Sequence, residues 1–93
     1  MTDPDVVDNA DEGQYELRVD GRLAGLVLYR RHDNAITLIH TEVEDGFEGQ
    51  GIGGRIAKAV LDDARAHGWR VLAQCPFIRS YIERHPDYRD LTT

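Results

Sequence analysis

Ninety-three residues, 41% hydrophobic and 30% charged, make one small domain near the lower limit of what buries a self-sufficient core. A net charge of −6, no apolar run approaching the ~20 residues of a membrane helix and no signal-peptide h-region argue against nucleic-acid binding and membrane insertion. The single cysteine, Cys75, excludes an internal disulfide and suits a reducing, cytoplasmic setting; with four scattered histidines it offers no metal-ligand spacing.

The charge is unevenly placed. Residues 1–13 hold Asp3, Asp5, Asp8, Asp11 and Glu12 and no Lys or Arg, so this stretch reads as a flexible acidic N-terminal arm. Residues 14–93 form the domain proper. From Gln14 to Val19 polar and apolar residues alternate, with Tyr15, Leu17 and Val19 on one face, which predicts a half-buried strand. Asp20-Gly21 closes a tight hairpin into Leu23–Tyr29, apolar on both faces and so inside a sheet. Asp33-Asn34 turns the chain into a third, β-branched strand over Ala35–Val43. Three strands with short turns predict an antiparallel meander, with Gln14–Val19 as an exposed edge.

The period then changes. Ile52, Ile56, Val60 and Ala64 recur every four residues, widened by Ala57, Ala59 and Leu61, which predicts an amphipathic helix lying on the sheet. Gly68 ends it. Trp69–Cys75 reads as a fourth strand, parallel to the third through a right-handed crossover. Pro76 opens a short last helix holding Ile78, Tyr81 and Ile82, which stops before His85-Pro86. The fold class is α+β with a mixed sheet: a β-meander, a β-α-β crossover and a short C-terminal helix. Arg79, Arg84, His85 and Arg89 make the last segment locally basic, either to meet phosphates or as a solvated helix face.

The most telling stretch is Glu48-Gly49-Gln50-Gly51-Ile52-Gly53-Gly54-Arg55, between the third strand and the helix. A glycine-rich turn at a helix start presents unpaired N–H groups and lets a phosphate approach without a Cβ in the way. It is not a P-loop, because no Lys followed by Ser or Thr occurs. Nor does its spacing, or its place late in the chain, fit a dinucleotide fingerprint. An anion cradle, with a pyrophosphate as ligand, and a turn that only permits close helix–strand packing are the two readings left.

Taken together, these elements resemble the GCN5-related N-acetyltransferase (GNAT) superfamily. Glu48-Gly49-Gln50-Gly51-Ile52-Gly53 matches both glycines of its Gln/Arg-x-x-Gly-x-Gly/Ala acetyl-CoA signature and departs at Glu48. His40-Thr41-Glu42-Val43, Cys75-Pro76-Phe77 and Tyr81-Ile82-Glu83-Arg84-His85-Pro86 are similar to motifs of the very small single-domain GNAT-like subgroup, over roughly residues 14–91. The resemblance implies acetyl-CoA in a splay between the third and fourth strands, its thioester along Thr41 to Val43. It implies a pyrophosphate on the N–H groups of Gly49 to Gly54, with Gln50, Ile52 and Arg55 in the same cradle and Glu48 contributing only its backbone. Asp20-Gly21 stands where larger members carry two helices, so the amine acceptor site is expected to be open.

The implied chemistry is acetyl transfer to an amine; the alternative is a module that holds CoA or acyl-CoA without transfer. His40 or Glu42 is the candidate general base, directly or through water. Tyr81 is the candidate proton donor to the leaving thiolate, or else a core aromatic. Cys75 either accepts acetyl covalently or is a small buried hydrophobe lining the cleft. Phe77 and Arg79 are candidates to pack on the pantetheine arm or reach a phosphate. A monomer or weak homodimer is expected.

Overall fold

Asp20 and Gly21 take left-handed φ values of 51° and 79°, the pair a two-residue hairpin turn requires. They join β2 (Gln14–Val19) to β3 (Arg22–His32), and a second turn at Asp33-Asn34 leads into β4 (Ala35–Val43). The chain continues through α1 (Ile52–His67), β5 (Arg70–Ala73), α2 (Pro76–Arg84) and a final 3₁₀ segment (Pro86–Thr92). The computed structural model describes residues 3–93.

The sheet has five strands in the order β1-β2-β3-β4-β5, where β1 is Val6–Asn9. β1 to β4 are antiparallel and β5 runs parallel to β4, as the intervening helix demands. The crossover and short last helix expected from the sequence are in place. β1 corrects two expectations. The stretch read as a flexible arm contains a strand, pairing Val6 with Leu17 and Asn9 with Gln14. Gln14–Val19 is therefore not the edge; β1 covers it. Val6 drives this: it is buried against the core while Val7 and the neighbouring acids face outward. The first two residues of the expected arm lie outside the described residues.

Leu17, Val27, Ile36 and Leu38 from the sheet meet Ile56, Val60 and Leu61 from α1, all fully buried, at roughly 1.5–3 kcal/mol of transfer free energy per side chain. α1 ends as its sequence requires. Gly68 takes a left-handed φ of 73°, and the Trp69 N–H donates back to Ala64 O at 2.9 Å, satisfying a terminal carbonyl.

One irregularity decides which way β4 points its side chains. Tyr29 pairs with Leu38 but Leu28 pairs with His40, leaving Ile39 as an extra residue. Leu38, Thr41 and Val43 therefore share the face toward α1, because their partners Tyr29, Val27 and Gly25 do. His40 and Glu42 take the opposite, helix-free face.

Candidate functional site

The parallel ladder between β4 and β5 stops early. Pairing ends at Leu38 and Ala73, and the Leu38 carbonyl accepts both the Gln74 and the Cys75 N–H at 3.0 Å. β4 continues to Val43, paired only with β3, so a gap opens beside its last residues. The Glu44 N–H donates to Ala24 O on β3 at 2.8 Å. Antiparallel strands alternate their hydrogen-bonding direction, so Val43 and Thr41 turn their N–H groups into the gap.

Cys75 stands across from Thr41, Sγ to Oγ1 at 3.3 Å, and is 3% exposed. It is the N-cap residue of α2, with Pro76 opening the helix as its fixed φ favours. α2 also carries Tyr81, whose ring lies 3.9 Å from the His85 ring and alongside Gly54 of α1. Burial raises the Tyr81 phenol above its usual pKa, with Lys58 pulling the other way. Tyr15, Tyr29 and Tyr88 donate their hydroxyls to Asp63, Asp8 and Asp62. Among the described residues, the Tyr81 hydroxyl has no hydrogen-bond partner.

The glycine turn sits at the start of α1. Gly49 and Gly51 adopt φ values of 77° and 73°, where an L-residue is strained, and Gly51 is the N-cap. No side chain caps this helix, and the first intrahelical bond runs from Arg55 N to Gly51 O. The N–H groups of Ile52, Gly53 and Gly54 thus lack intrahelical acceptors. Gly53 has a second duty: a Cβ there would stand 2.7 Å from the tip of the Phe77 ring, so it also sets the approach of α2. Glu48 turns its carboxylate onto the Gly46 N–H at 2.9 Å, and Gln50 donates to Gly46 O at 3.2 Å.

Arg55 has company the sequence did not suggest. Its guanidinium makes two hydrogen bonds to Asp3, at 2.9 and 3.1 Å, and one to Asp5 at 3.1 Å. The arginine holds the Asp3 carboxyl below the usual range, and Asp3 in turn raises the arginine. Fifty residues separate these partners, so no local pattern announces the contact.

The structure gathers Thr41, Val43, Cys75, Phe77, Tyr81 and the glycine turn on the helix side of the sheet. It sends His40 and Glu42 to the other side. Those two pair with each other, Nε2 to Oε2 at 3.3 Å, and both are about half exposed. Beside Glu42 lies a hollow of about 360 Å³ whose walls include Glu44, Asp45 and Arg22. Sequence reasoning passed over Glu44 and Asp45, which carry no motif and gain meaning only through Glu42. Arg79 donates to Gln74 O at 3.0 Å and lines a separate hollow outside β5.

Residues 14–91 match the family described as GCN5-related N-acetyl-transferase. Protein NATD1 of Xenopus tropicalis is 31% identical over 75 residues, covering 78% of this chain and 69% of that protein. NATD1 of Homo sapiens shows the same identity, covering 66% of its own length. The solution structure of a GCN5-like candidate N-acetyltransferase from Staphylococcus aureus superposes with a TM-score of 0.70 at 28% identity, over 98% of this chain and 89% of that one. A ribosomal-protein-alanine N-acetyltransferase from Brucella melitensis shares the fold alone, at TM-score 0.60 and 22% identity, over 86% of this chain and 61% of that one. The sequence motifs, the strand gap and these matches agree: the chain belongs to the GCN5-related N-acetyltransferase family.

Proposed function

We propose that this protein is an N-acetyltransferase that moves an acetyl group from acetyl-CoA to an amine acceptor. The observation that carries the reading is the gap beside β4, where the Thr41 and Val43 N–H groups, Cys75 and the uncapped start of α1 belong to one side of the sheet. Unpaired donors are costly unless something takes them up, and a thioester carbonyl and a diphosphate are acceptors of the right kind.

Acetyl-CoA supplies the activated acyl group; the chain's own residues do the rest. The N–H groups of Ile52, Gly53 and Gly54 hold phosphate oxygens with help from the helix dipole. Arg55 joins them only by exchanging Asp3 and Asp5 for phosphate. The Thr41 and Val43 amides face the thioester and polarise its carbonyl. Tyr81, kept protonated by burial, gives its hydroxyl proton to the departing sulfur. His40 and Glu42, on the far face, take the amine proton through the open end of the gap or by way of water. Cys75 either packs against Thr41 or relays the acetyl group.

Titration of the protein with acetyl-CoA, followed by backbone amide signals, tests this reading. Shifts at residues 41–43 and 49–54, together with CoA release on an amine panel, are expected. Shifts elsewhere, or none, overturn it. A second reading, CoA binding without transfer, is favoured by one observation: the His40–Glu42 pair lies across the sheet from Tyr81. Shifts at the glycine turn with no CoA release on any amine would select it. Intact mass separates the Cys75 routes, since a relay leaves one acetyl group that is absent in Cys75→Ala.

A further inference from the structure

The last 3₁₀ segment packs along β5, and between it, β5 and α2 lies a hollow of about 590 Å³. That volume falls within the roughly 300–1,000 Å³ of small-molecule sites. Val71 is only 2% exposed, so the hollow offers a ligand side chains rather than a free strand edge.

The rim is cationic. Arg70, Arg79 and Arg89 surround the hollow against one acid, Glu83. In a chain of net charge −6, this is a local reversal of sign. Arg79 is held by its bond to Gln74 O at 3.0 Å. Arg70 and Arg89 are exposed and, among the described residues, make no ion pair or side-chain hydrogen bond. The acid beside Arg89 is spent elsewhere: Asp90 accepts two bonds of 2.9 Å from Arg65 on α1. The floor is apolar, with half-buried Leu72 and Ala73 from β5 and buried Ile82 from α2. Unneutralised guanidinium groups beside an apolar bed are what a ligand with an anionic head and a hydrocarbon body requires. A guanidinium fork suits carboxylate and phosphate alike.

We propose that this hollow binds a small amphipathic anion, a carboxylate or phosphate carrying a short hydrocarbon chain. The head pairs with Arg70 and Arg89, and the chain lies on Leu72, Ala73 and Ile82. No main-chain group of β5 takes part. The gap beside β4 is a separate place, so the proposal stands whether or not acetyl-CoA binds there.

The test titrates sodium octanoate into the full chain and follows backbone amide signals. Saturable movement is expected at residues 70–74, 82–83 and 89–92. Octylammonium and 1-octanol keep the chain without the negative head, acetate keeps the head without the chain, and each should bind about tenfold more weakly or not at all. Octyl phosphate identifies the head: tighter binding than octanoate supports a phosphate, weaker binding a carboxylate. The double variant Arg70→Gln, Arg89→Gln alters only exposed, unpartnered side chains and should weaken octanoate about tenfold, whereas Glu83→Gln should tighten it about twofold. Octanol or acetate binding as well as octanoate overturns the proposal. So does indifference to the arginine replacements, or signal movement confined to other elements. Displacement of octanoate by CoA would merge the hollow with the cofactor site and overturns it too.

Discussion

The two ends of this small sheet treat their polar groups in opposite ways. Around β1, β2 and β3 the tyrosines and Glu16 are paired: Tyr15 with Asp63, Tyr29 with Asp8, and Glu16 with Asn9, Gln14 and Arg18 together, with Arg31 Nε, buried over the Trp69 ring, the exception. Beside the β4–β5 gap the Thr41 and Val43 amides, the first turn of α1 and the Tyr81 hydroxyl are left over. Satisfied groups hold a fold together, whereas leftover donors cost stability and wait for a ligand. In a domain with so little core to spare, the contrast separates residues that hold the fold from those proposed to do the chemistry.

Exchanging single hydroxyls across the two ends tests that contrast most strongly. Tyr81→Phe should lower kcat by about 10²–10⁴-fold, the ordinary range for a lost general acid, and leave thermal stability unchanged. Tyr15→Phe should do the reverse. It leaves the Asp63 carboxylate without its 2.6 Å partner and costs about 1–3 kcal/mol in urea unfolding, with turnover intact. A Tyr81→Phe protein that loses stability but not rate would erase the distinction between the ends.

High pH sharpens the same point. Burial, reinforced by Asp8, pushes the Tyr29 phenol up to about 12, and burial with Asp63 raises Tyr15 further. Groups raised in this way contribute stability that is whole below their unfolded value near 10 and lost as pH climbs through the folded value. Unfolding midpoints should therefore fall steadily above pH 10, and fall less in Tyr15→Phe. At the turn, Gly51→Ala should cost about 1–2 kcal/mol through its left-handed φ of 73°. Gly53→Ala should cost less, because its obstacle is the swinging tip of a partly exposed Phe77 ring. The smallest effect belongs to the exposed His40–Glu42 pair, whose removal should change stability by less than about 1 kcal/mol.

Much of this was legible in the chain. Alternation located β2, an apolar run on both faces located β3, β-branched residues located β4, the four-residue apolar step located α1, and Pro76 with His85-Pro86 bracketed α2. β1 was hidden because aspartates around Val6 and Val7 carry the composition of a solvated tail. The bulge at Ile39 was hidden too, since no residue type marks it. The shared face of His40 and Glu42 follows from alternation, but only the bulge says that this face looks away from the helices. The glycines illustrate a third limit. Their number signalled a special turn, yet the sequence could not divide them between backbone geometry at Gly49 and Gly51 and ring packing at Gly53.

The parallel ladder carries a kinetic implication. β1 to β4 pair with chain neighbours through short turns, whereas β5 reaches β4 only after the whole helix has been laid down. Distant pairing has to overcome chain-closure entropy before it returns any energy, which makes the β4–β5 junction a late arrival during refolding. The gap proposed to do the chemistry is then the last piece assembled, so a refolding chain would become competent only once β5 has docked on β4.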